Sequence, residues 1–297
     1  MQGLYSSYDA TGPVSDGVDE HTFDTLKAAF IAQANDGGRL LDFSYTGGIV
    51  QADGTWKPNL YRCEITDRLA EENLAPLERM LRDYRQAHPE VHFTLVGHSL
   101  GGYLAFLEGA RDAARPEEQK LAVDVVVTLD SPLSGVSADK QFVLDSVVHC
   151  PKTYAAGAEL VRDKQDPETP ELRRRQTTLM HEQGVRLATI GNINDCLYNL
   201  RLCIGGSYVD DSSTQFLEGA ELSKRYEIRG GALASHFSIV RHAGRSERRH
   251  HLRRRAVAAA VRRAGGPARR WRTSACRHIC RRARTCGRST HASSSPS

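Results

Sequence analysis

Ser99 stands in the run Gly97-His98-Ser99-Leu100-Gly101-Gly102, where residue types and spacing point most directly to chemistry. A serine hydroxyl is a weak nucleophile. It attacks only when a base takes its proton and fixed N–H groups receive the charge that develops on the attacked carbonyl. The glycines suit that task, because side chains beside a serine at the tip of a tight strand-to-helix turn would collide. The flanks agree with such a turn. Residues 93–96 form a short apolar run that reads as a buried strand, and Tyr103, Leu104, Phe106 and Leu107 continue as a helix. The turn would lift the Ser99 hydroxyl off a sheet and aim the Leu100 N–H, at the helix start, where an oxyanion forms.

The serine needs a histidine as base and a carboxylate to orient it, in the chain order serine, acid, histidine that accompanies such a turn. Downstream lie His149, His181, His236 and His242. His149 and His181 fall in a helical insertion, whereas His236 follows a short strand and the Gly230-Gly231 turn, a setting from which it can reach over the serine. His242 sits one or two turns further along the same segment. For the acid, Asp195 and Asp130 both end strands; Asp195 is favoured because its strand is the nearer one before the histidine, and Asp130 stays open. His98 is expected to pack or position rather than to act as base.

The elements that must position these residues alternate. Helical spacing appears at residues 23–34 and again at 66–88, where Thr66 or Asp67 is the expected cap and Leu69, Leu74, Leu77, Met80, Leu81 and Tyr84 share one face. Strands are expected at 40–45, 93–96, 121–129, 185–190 and 225–228, with a Gly- and Pro-containing loop at 46–61. Residues 136–184 read as helices interrupted at Pro151, Pro167 and Pro170. Apolar strands between helices predict an α/β fold, a mostly parallel sheet with helices on both faces and functional loops beyond the carboxyl ends of its strands.

The charge of the 297-residue chain divides it in two. Residues 243–297 hold 16 Arg, no Lys and a single acidic residue, Glu247, which leaves 24 basic and 35 acidic side chains in residues 1–242. An acidic globular body at 1–242 therefore precedes an Arg-rich tail with almost no large aliphatic residue, too poor in apolar surface to build a core. Such a tail could be a basic arm for nucleic acid or an anionic membrane. Its Arg without Lys, together with Ala and Ser, fits a G+C-rich gene read out of frame better. The seven cysteines do not suggest a disulfide framework, and Cys276, Cys280 and Cys286 lack the paired spacing of a zinc site. No 18-residue apolar run and no leading signal pattern are visible, from which a cytoplasmic location is expected.

GHSLGG at 97–102, LDSPLSG at 129–135, GNIND at 191–195 and SHFSIVRH at 235–242 together resemble the α/β-hydrolase superfamily, in its lipase and esterase branch, over about residues 1–242. The resemblance implies Ser99 as nucleophile, Asp195 as acid, His236 as base, and no metal or organic cofactor. It implies an oxyanion hole from the Leu100 N–H and a second N–H from the loop after an early strand, where Gln2-Gly3-Leu4 would place Leu4. The substrate would be a small ester or lipid, and residues 136–184 a small helical lid. The first strand of such a fold is missing ahead of Met1, so a late-started reading frame or a fragment is expected, with Leu4 on a frayed terminus.

Overall fold

The structure, a computed structural model, describes residues 1–4, 6, 27–28, 39–138, 150, 152–192, 217 and 219–226. The chain divides into a unit Met1–Ala264 and a unit Gly265–Ser297, and every described residue belongs to the first. Asp195, His236 and the tail at 243–297 lie outside the described residues.

Strands β1 (Gly48–Val50) and β2 (Trp56–Pro58) form an antiparallel hairpin, with Ile49 opposite Lys57. Helix α1 (Ala70–Ala87) leads to strand β3 (Phe93–His98), helix α2 (Leu100–Ala114) and strand β4 (Val123–Leu129). Helices α3 (Ala155–Gln165) and α4 (Thr169–Glu182) then precede strands β5 (Arg186–Asn192) and β6 (Leu222–Tyr226). The four later strands make one sheet in the order β3-β4-β5-β6, parallel throughout, with His98 beside Leu129 and Leu129 beside Ile190. Parallel strands leave all their carboxyl ends on one edge, and Ser99 sits there.

Burial explains these elements. In β4 every residue except Asp124 is buried, the β-branched run expected of a strand covered on both faces. On α1 the buried Leu74, Leu77, Met80, Leu81 and Tyr84 recur at helical spacing, each aliphatic side chain contributing about 1.5–3 kcal/mol on burial. Helix α2 is buried along most of its length, with Leu104, Ala105 and Phe106 fully enclosed against β3 and β4. Among the described residues no helix is long and apolar enough to cross a membrane.

Several expected elements differ. Residues 40–44 take no strand pairing, and the hairpin β1–β2 stands inside the segment expected to be loop. Two strands of three residues are too short to show an alternating pattern. Pro170 starts α4 rather than breaking it, since a first-turn proline loses no hydrogen bond that the helix would have made. Of the segment expected as a lid, residues 152–184 form α3 and α4. Helix α4 packs against α2 and β5 with Met180 fully buried, as a crossover between β4 and β5. Its buried stripe is Thr169, Arg173, Thr177 and Met180, polar enough to hide that face from a reading of apolar periodicity.

Candidate active site

Ser99 has φ 54° and ψ −129°, a left-handed backbone that a side chain seldom adopts, and it is the residue immediately before α2. Its N–H donates to Leu129 O at 2.9 Å, and its carbonyl accepts from the N–H groups of Gly102 at 3.0 Å and Tyr103 at 3.2 Å. The sharp reversal is thus tied to the sheet on one side and to the helix on the other. Its flanking glycines have no room for anything larger. A Cβ on Gly97 would stand 2.2 Å from Gly101 O, and one on Gly101 would stand 2.3 Å from Gln2 O. Leu100 opens α2, in the turn whose N–H groups have no intrahelical acceptor.

Two buried side chains, Tyr103 and Arg173, and the half-buried Asp163 fix that helix. Tyr103 donates its hydroxyl to Asp163 at 2.7 Å, and Arg173 donates to the same carboxylate at 2.6 Å. Arg173 Nε also donates to Leu133 O at 2.9 Å, holding the loop after β4, and its guanidinium lies over the rings of Tyr103 and Phe106. Burial pushes the Tyr103 phenol well above its ordinary range, so it remains a donor.

The segment Met1–Leu4 is not frayed. The Met1 amine donates to Val96 O at 2.6 Å, and Met1 O accepts from His98 N at 3.0 Å, so this segment runs along β3 as a strand would. Desolvation pushes that amine down to about 5. Beyond it, Gly3 lies directly against the serine: a Cβ there would stand 2.7 Å from Ser99 Cβ and 3.0 Å from its Oγ. Gly3 O accepts from Ser6 N at 3.3 Å and from Ser6 Oγ at 2.7 Å. That turn runs over Leu4 without using the Leu4 N–H. Behind it, Tyr45 donates its hydroxyl to Gln2 O at 2.7 Å.

Ser99, Leu100, Gly3 and Leu4 are therefore brought together. Asp195 and His236 lie outside the described residues; β5 ends at Asn192 and β6 at Tyr226, at the sheet edge that carries Ser99. Asp130, the other candidate acid, is fully buried at the end of β4 with φ 43°, and its N–H donates to Ile190 O at 2.8 Å. His98 is fully buried beside the serine. Cys63, Glu64 and Cys150 bring three potential metal ligands together, but the two sulfurs are bonded to each other as a disulfide. That bridge had no signal in the cysteine spacing, since its partners are 87 residues apart. The same distance problem hid Tyr45.

Residues 49–153 match the family model described as Lipase (class 3), over the stretch that carries β3, the turn at Ser99, α2 and β4. That match over part of the chain supports the α/β-hydrolase superfamily. It also supports hydrolase activity of the lipase or esterase type in general. A solved structure from Listeria innocua, the product of its gene lin2722, is 13% identical over 81% of this chain and 86% of that one, with a TM-score of 0.41. No curated protein matches the chain at a significant level.

Proposed function

We propose that the chain is a serine hydrolase of carboxylic esters, acting on lipid or other apolar acyl esters. Ser99 Oγ attacks the ester carbonyl while His236 takes its proton, and Asp195 holds the imidazole in the required tautomer. The N–H groups of Leu100 and Leu4 receive the oxyanion. His236 then protonates the departing alcohol, and water, deprotonated by the same histidine, hydrolyses the acyl-enzyme. No metal or organic cofactor takes part in these steps. The observation that carries the reading is the strained Ser99 backbone at the mouth of α2, with Gly3 pressed against its side chain.

Hydrolysis of p-nitrophenyl esters from acetyl to palmitoyl tests it, with Ser99→Ala as the control. Loss of the nucleophile is expected to lower kcat by about 10⁶, as in other triads. A fluorophosphonate probe should label the native chain and not the variant. Asp195→Asn and Asp130→Asn decide between the two acids: the orienting carboxylate costs about 10⁴ when its charge is removed. A folded native chain that neither turns over nor takes the probe would hand the fold to a non-catalytic binding role.

A further inference from the structure

The Gln2–Leu4 turn is held by groups far from it in sequence. Met1 uses its amine and carbonyl on β3, through Val96 O and His98 N. The next carbonyl, Gln2 O, faces a different partner, the Tyr45 hydroxyl at 2.7 Å, within a fully enclosed environment. A second phenol, Tyr61, also buried, contacts Ser6 Oγ at 3.1 Å and Gln2 Oε1 at 3.4 Å. Ser6 has one hydroxyl proton and gives it to Gly3 O at 2.7 Å, so Tyr61 is the donor toward Ser6. The rings themselves are fixed edge to face, Phe43 to Tyr45 at 4.9 Å and Tyr45 to Tyr61 at 5.2 Å between centroids. Two phenols thus grip the carbonyls on either side of the Gly3 Cα, Gln2 O directly and Gly3 O through Ser6.

We propose that Tyr45 and Tyr61 are positioning residues that set the distance between the Leu4 N–H and Ser99. The proposal rests on the reading of Ser99 as nucleophile and Leu4 as an oxyanion donor. Its logic is geometric. Gly3 lies so close to the serine that a Cβ on it would stand 2.7 Å from Ser99 Cβ, which leaves the turn little room to move closer; Met1 anchors its start on β3, and the phenols hold the carbonyls beyond that anchor against moving away. An oxyanion donor works when it is fixed before the charge forms, and one such donor is worth about 10²–10³ in kcat. A displacement of a reacting group by about 1 Å can cost on the order of 10². Burial holds the Tyr45 phenol well above its ordinary range, so the donor persists at any working pH.

The test is the steady-state kinetics of Tyr45→Phe, Tyr61→Phe and the double variant on p-nitrophenyl butyrate. Each keeps the ring contacts and removes one hydroxyl. Tyr45→Phe should lower kcat by about 10-fold or more with KM changed less than about twofold, because the interaction is made in the transition state. Tyr61→Phe, acting through Ser6, should lose less. A thiono ester adds a second readout: a loosened donor discriminates less between a developing O⁻ and S⁻, so the oxo-to-thiono rate ratio should shrink in Tyr45→Phe. Native rates in a folded Tyr45→Phe, or an unchanged oxo-to-thiono ratio, overturn the positioning role while leaving Ser99 catalysis intact. A native chain with no turnover and no fluorophosphonate labelling removes the reading beneath it, and the proposal with it.

Discussion

The turn at Ser99 and the junction between α1 and α3 are both tight, yet they are held by opposite means. The turn is shaped by exclusion. Gly97 and Gly101 lie so close to other backbone that any side chain would displace it, and all of these contacts except those to Met1, Gln2 and Leu129 fall within a few residues. The junction is shaped by attraction across the chain. Asp67, fully buried, accepts from the N–H groups of Thr153 at 2.7 Å, Tyr154 at 2.8 Å and Ala156 at 3.2 Å, at the start of α3. Glu159 of α3 accepts in return from Ala70 N at 2.6 Å, at the start of α1. Each helix start therefore receives a carboxylate from the other, where the helix dipole favours one. The Cys63–Cys150 disulfide closes the same junction. A chemical turn is thus fixed by what cannot fit, and the frame around it by bonds made across long loops.

If that division holds, the junction can be cut without touching the chemistry. Replacing both cysteines by serine frees a loop with a sequence separation of 87. In the chain-entropy picture this costs about 4.6 kcal/mol of stability. Urea unfolding should show the loss, and an esterase assay well below the midpoint should show an unchanged kcat. A kcat that fell in the folded variant would break the comparison, because the turn would then depend on the junction.

The far end of the turn's own helix carries a different signature, a pH dependence. Glu108 on α2 is fully enclosed and pushed up to about 7 by burial, although Arg115 donates to it at 2.8 Å. A raised carboxyl means that the folded state holds a proton the unfolded state has already lost. Stability from this group is therefore complete below about pH 4.5 and is lost as pH rises to about 7, by about 3 kcal/mol over the window. The Met1 amine has the opposite sign: lowered to about 5 from 8.0, it makes the fold more stable as pH rises between those values. The difference between native and Glu108→Gln unfolding energies isolates the first group. That difference should slope between pH 4.5 and 7, and a flat line would mean Glu108 is ionised throughout.

How much of this was legible beforehand follows the same division. The turn, its strand and its helix could be read because their reasons lie in consecutive residues. Gly97 and Gly101 announce a close approach, and the apolar spacing of α2 announces burial. The parallel sheet was legible from the apolar β4 and β5. Asp67 was not: the expected local cap of α1 instead serves α3, some 86 residues away, while Leu69 takes the cap position and keeps 41% exposure. Nor was the burial of α4 visible, whose inward face carries Arg173 and two threonines. Tyr45 and Tyr61 looked like ordinary aromatics, since nothing near them in sequence reveals that their hydroxyls meet Gln2 and Ser6.

Asp67→Asn sharpens the junction side. The amide keeps one oxygen for the α3 N–H groups but loses its charge and one acceptor, and it introduces an NH₂ beside Thr153 N, Tyr154 N and Ala156 N. Hydrogen bonds to a charged partner are worth roughly 1.5–3 kcal/mol, so a loss of about 2 kcal/mol is expected. In the oxidised protein the disulfide should limit the damage to local opening. Amide hydrogen exchange should accelerate at residues 153–160 and not at 97–103. Equal acceleration in both stretches would show that turn and junction open as one cooperative unit.

The smallest effect concerns the turn itself and separates strain from chemistry. Ser99→Ala and Ser99→Gly both remove the nucleophile, so neither retains activity, and their stabilities can be compared directly. At an ordinary position glycine would be the weaker of the two by about 0.5–1 kcal/mol, through the extra freedom of its unfolded chain. At φ 54° and ψ −129° a Cβ is strained instead, by roughly 1–3 kcal/mol, and only glycine escapes the strain. The net expectation is a glycine variant more stable than the alanine variant by about 1 kcal/mol. Thermal unfolding of the two at one pH reads that order. If alanine proves the more stable, the backbone at 99 is relaxed, and the exclusion argued for this turn comes from the glycines around the serine alone.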